Sequence, residues 1–134
     1  GRKTSLHVPV FKLCRHAAQL VDGTMMLTAI IRIVRPNHYP APFPPVVLAI
    51  EIEWDPIDSD RELMTRVLDD DGRVVWQLPL LADVHRGPSG ATVSDWLMLN
   101  MSGVCQIDRP GDYLVELVHV DQVLNWTRVR FATT

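Results

Sequence analysis

Apolar and polar residues alternate at period two along most of this 134-residue chain, and no window carries the 3.6-residue period of a long amphipathic helix. Pro110-Gly111-Asp112-Tyr113 then leads into a last pair of alternating runs. Together these observations predict an all-β fold, an antiparallel immunoglobulin-like β-sandwich of about eight strands. With 47% hydrophobic residues the chain can bury a core without metal or disulfide staples, so one domain is expected over residues 6–134. Gly1 to Ser5 is expected to be a disordered end or an expression remnant.

Leu6 to Gln19 reads as an irregular strand or strand pair in which Pro9, lacking an N–H, marks an edge position or a bulge. Val21-Asp22-Gly23 is a hairpin turn, since glycine takes positive φ without steric cost. Met25 to Val34 is apolar on both parities, which predicts a strand covered on both sides or one that forms an oligomer surface. Pro36 to Pro45 holds five of the ten prolines and is expected as a stiff extended connection, because proline excludes both helix and inner strand. In Val46 to Trp54 the residues Val46, Leu48, Ile50, Ile52 and Trp54 point inward, and Glu51 and Glu53 outward. Glu62 to Leu68 and Arg73 to Leu80 form a hairpin around Asp69-Asp70-Asp71-Gly72. Val93 to Met101 follows, with Val104 to Ile107 prolonging it beyond Ser102-Gly103. Tyr113 to Val120 and Val123 to Phe131 make the final hairpin, which Tyr113 enters in the manner of a tyrosine corner.

If every connection reverses direction, loops sort to two ends. Asp22, Asp55, Asp58, Asp60, Asp83 and Asp121 then share one end with His85, and form the candidate metal set, since carboxylate oxygens suit calcium. The proline segment, the Asp69–Gly72 turn and the Pro-Gly corner share the other. The five histidines and two cysteines lack zinc-ligand spacing, and no nucleophile elbow or phosphate-cradling glycine loop occurs. No cofactor is therefore expected, calcium at the acidic loops being the alternative. Tyr39, Phe43, Trp96 and Trp126 are the candidate ligand-binding aromatics, with core packing as the alternative for each. Cys14 and Cys105 are expected as buried free thiols, which favours a reducing, cytoplasmic compartment; a bridge between them is the alternative.

A net charge of −3 argues against a nucleic-acid partner, and no apolar stretch reaches the length of about 18 residues that a membrane-spanning helix needs. The order of features is distinctive: Asp22-Gly23 and an apolar strand, a proline-aromatic connection ending in Phe43-Pro44, the strand Val46 to Trp54, a hairpin around Asp71-Gly72, and Pro-Gly-Asp-Tyr. This order resembles a family of small uncharacterised bacterial proteins, classed as a domain of unknown function, over residues 8–132. The resemblance implies a β-sandwich and carries over no catalytic residue.

The expected function is thus non-enzymatic: a binding or assembly module that meets a protein partner or a second copy through Met25 to Val34 or a sheet edge. The alternative is a glycan- or calcium-binding module. A small hydrolase using Asp58 or Asp60 with His85 is the third reading.

Overall fold

The alternation in the sequence becomes two packed sheets in the computed structural model, which describes residues 6–54, 62–81 and 93–133. Its strands are β1 (His7–Gln19), β2 (Met25–Ile30), β3 (Ile33–Val34), β4 (Ala41–Pro42), β5 (Val47–Trp54), β6 (Glu62–Leu68), β7 (Val74–Leu81), β8 (Val93–Asn100), β9 (Gln106–Ile107), β10 (Gly111–His119) and β11 (Gln122–Phe131). One sheet has the order β2-β1-β5-β8 and the other β3-β11-β10-β6-β7, while β4 and β9 form a small pair at one end. All pairings are antiparallel except β3 with β11, so the fold is all-β with one mixed sheet.

The inward parity of each strand supplies the core. Phe11 and Leu13 of β1 and Leu48, Ile50, Ile52 and Trp54 of β5 meet Leu63, Val67, Val115, Leu117, Val129 and Phe131 from the facing sheet. Each such side chain contributes about 1.5–3 kcal/mol by leaving water. Pro9 sits where the β1–β5 register shifts between His7 and Val10, as its missing donor requires. The Tyr113 hydroxyl donates to the Arg109 carbonyl at 2.8 Å, and its ring meets Phe131 edge-on with centroids 5.2 Å apart. The corner between Arg109 and β10 is held by that bond.

Two expectations are corrected. Met25 to Val34 is not one strand: β2 is an edge strand that ends at Ile30, after Ala29 at φ 59°. The Ile31 amide still bonds to Leu13 of the first sheet, but Arg32 and Val34 accept bonds from Arg130 and Ala132 of the second. The segment crosses between sheets, so Ile31 and Val34 pack against the core while Met26, Ile30 and Ile33 stay about half exposed. Apolar residues on both parities reflect this crossover, not burial on both sides. Likewise Val104 to Ile107 does not prolong β8. It leaves that sheet, and β9 pairs with Ala41 and Pro42 of the proline segment.

Asn125 ties the open side of β11 to β1. Its amide donates to the Val8 carbonyl at 2.7 Å, and its oxygen accepts from the Trp126 amide at 2.7 Å.

Candidate functional site

Phe11 and Leu13 on β1 face the core, and the next residue of that parity is Arg15, which runs out beyond the core. It lines a depression of about 460 Å³ with Ile31, Ile33, Val34, Arg35 and the Pro44-Pro45 wall. The crossover between sheets builds one side of this depression and the end of the proline segment the other. Proline carries no N–H, so that stretch of wall gives a ligand no donor. Among the described residues neither Arg15 nor Arg35 makes an ion pair, and no acidic side chain lines the depression. A second depression of about 400 Å³ adjoins it, sharing Val34, Pro44 and Pro45 and extending past His38 and Phe43 to Gly103. The arrangement can hold an acceptor-bearing group against an apolar floor. Ser102 and His38 line the adjoining depression.

The second notable surface is the solvent side of the four-stranded sheet. Cross-strand register places Val10 beside Glu51 and Trp96, Lys12 beside Ala49 and Met98, and Cys14 beside both Val47 and Ile30. Met98, Ile30 and Met26 are about half exposed there. Lys12, Glu51 and Asn100 share that face, so the apolar side chains form a patch among polar ones rather than a continuous surface.

The four aromatic candidates do not converge. Phe43 is 1% exposed and stacks in a tilted contact with Phe131, so it is a core residue and presents no ring to a ligand. Tyr39 packs against the core and donates its hydroxyl to the Ala132 carbonyl at 2.6 Å. Trp96 lies on the outer side of the four-stranded sheet, and Trp126, 53% exposed, on the five-stranded one. No single ligand stacks on both.

The metal set is also divided. Cys14 stands level with Ile30 and with Val47. From there β1 continues to Gln19 while β5 runs the opposite way to Trp54, which at about 3.3 Å per residue puts the Asp22 turn and the Trp54 end roughly 40 Å apart. Asp121 belongs to the Trp54 end, because Asn125 of its hairpin reaches Val8 near the start of β1. The expectation that Asp22 shares an end with Asp121 fails because the β2-to-β5 connection does not reverse direction. Asp55, Asp58, Asp60, Asp83 and His85 lie outside the described residues. Among the described residues the acidic group that does form is Asp69, Asp70 and Asp71, whose ligand atoms lie within 4.8 Å of one another. Arg109 answers it, 2.8 Å from Asp71 and 3.3 Å from Asp70, and Asp69 accepts the amides of Asp71 and Arg73. That is a turn closed on itself.

Both cysteines are free thiols, Cys14 buried and Cys105 half-buried. Burial pushes both thiols up, Cys105 to about 11. Arg15 was not among the residues that sequence patterning singles out, although a charge on a core-facing parity is the signal that marks it.

The family described as a family of unknown function, DUF6941, matches residues 9–131. The chain belongs to that family. The DUF6941 match runs from β1 to the end of β11 and takes in every residue lining both depressions. No characterised protein matches the chain by sequence. Among solved structures it is similar to the Pseudomonas fluorescens alkylpurine DNA glycosylase AlkC bound to DNA containing an abasic site analog. The TM-score is 0.55 at 9% identity, over 99% of this chain and 32% of that one. The chain thus spans about a third of the glycosylase's length, and the likeness is one of fold.

Proposed function

We propose that this DUF6941 chain is a non-catalytic assembly module, an immunoglobulin-like sandwich that self-associates through the outer face of its four-stranded sheet. The Tyr113 hydroxyl bond to Arg109 supports the immunoglobulin-like reading, because that corner is a feature of the class. The observation that carries the function is the apolar surface of Val10, Met26, Ile30, Val47, Trp96 and Met98 on a sheet face turned to solvent. Lys12 and Glu51 lie within it, in register with Met98 and with Trp96, and give it charges of opposite sign that an isologous contact can pair between copies. Nothing in this reading requires an enzyme, a cofactor or a nucleic-acid partner, and the net charge of −3 speaks against the last.

Sedimentation velocity over a dilution series tests it. Wild type is expected to dissociate from dimer to monomer on dilution, and Met98→Lys with Ile30→Lys to stay monomeric at every concentration with an unchanged melting temperature. A wild-type chain that remains monomeric at about millimolar concentration, where even a weak complex forms, sinks the reading.

A second reading rests on Trp126, whose exposed ring suits stacking against a sugar. It predicts that glycan titration shifts Trp126 fluorescence and that Trp126→Ala abolishes the shift.

A further inference from the structure

Arg15 and Arg35 pose a question separate from the sheet face, since Arg15 shares the inward parity of β1 and both line the depression at the proline end. Long cationic side chains beside apolar surface ordinarily find a carboxylate or turn into bulk water. Arg15 and Arg35 are both exposed, and they line one depression together with Ile31, Ile33, Val34 and Val46, with no acidic residue in the lining. In a chain of net charge −3 this is a local concentration of positive charge, and it asks for negative charge from outside. The ligand's partners are therefore specified: guanidinium donors for an anionic group, apolar contact for what flanks it, and no donors from the prolines.

We infer that the depression binds an acidic peptide segment of a protein partner, a carboxylate side chain with apolar neighbours in extended conformation. Two features favour a peptide over a compact anion. The depression shares Val34, Pro44 and Pro45 with the adjoining one, so an extended segment that leaves the first meets the second. The lining of the first includes Ile31, Ile33, Val34 and Val46 beside the arginines, apolar contact that a small hydrated anion has no use for. The carboxylate sits between Arg15 and Arg35, and its apolar neighbours lie along Ile33, Val34 and the proline wall. This site does not depend on self-association.

The test is an array of short blocked peptides, each with a Glu between apolar residues, beside the same peptides carrying Gln or Lys. Wild-type protein is expected to retain the Glu peptides about tenfold or more over their Gln counterparts, as charge-assisted bonds to arginine imply. Arg15→Gln with Arg35→Gln is expected to erase that preference with the melting temperature unchanged, since both side chains are exposed. Ile33→Glu, at a residue 51% exposed, places a carboxylate of the chain's own beside the arginines and is expected to weaken the preference. Three results overturn the inference. They are an absent Glu preference, a preference that survives the double substitution, and displacement by acetate or inorganic phosphate as effective as by free peptide.

Discussion

Tyr113 holds its corner with one hydroxyl. Tyr113→Phe keeps the ring against Phe131 and removes the bond to the Arg109 carbonyl, so the loss isolates that bond. A destabilisation of about 1 kcal/mol is expected in urea melts, and an unchanged midpoint would mean that water replaces the tyrosine without cost. Cys105 makes a prediction of opposite character. Burial raises its thiol from 9.0 to about 11, so its contribution to stability is fully present below pH 9. Between those values the unfolded chain has released the proton and the folded one has not, and stability falls as pH rises. Cys105→Ala is expected to flatten that alkaline decline relative to wild type when urea midpoints are compared across the window. Parallel declines in the two proteins would show that the thiol is not responsible.

At the scale of elements, two joints carry more than their size suggests. Gly111 opens β10 at φ 152°, and a Cβ there would stand 3.2 Å from an Asp70 carboxylate oxygen. Gly111→Ala is expected to cost about 1–3 kcal/mol through backbone strain, measured as a lower melting temperature. Asn125 joins β11 to β1 by donating to Val8, and it accepts from its own neighbour Trp126, so Asn125→Ala removes both bonds together. It is expected to cost about 1–3 kcal/mol and to speed hydrogen exchange at Trp126. The strands themselves were legible. The strand ending at Trp54, the Asp69–Gly72 hairpin and the final hairpin all follow from period-two alternation between turns. The crossover at Ile31 to Val34 was not, because a strand covered on both sides and a segment passing between two sheets present the same apolar string. That single misreading also placed Asp22 at the wrong end. The aromatic candidates were illegible for a different reason: Phe43 and Tyr39 sit among prolines, where no alternation distinguishes inward from outward.

Across the whole molecule, the two sheets share one cluster, with Ile52 and Trp54 from one side packed among Leu117 and Phe131 from the other. Neither sheet retains a covered face without its partner, so independent unfolding would expose the same residues in both. The crossover adds a covalent reason, since Ile31 bonds into the first sheet and Arg32 and Val34 accept from the second within four residues. Urea unfolding is therefore expected to be a single transition, with tryptophan fluorescence, which includes buried Trp54, coinciding with far-ultraviolet circular dichroism. Ile52→Ala removes packing contributed by the four-stranded sheet and is expected to cost about 2–5 kcal/mol. Because the cluster is shared, the variant should shift both probes together. A variant whose fluorescence midpoint falls while its circular dichroism midpoint stays in place would show that the five-stranded sheet stands alone.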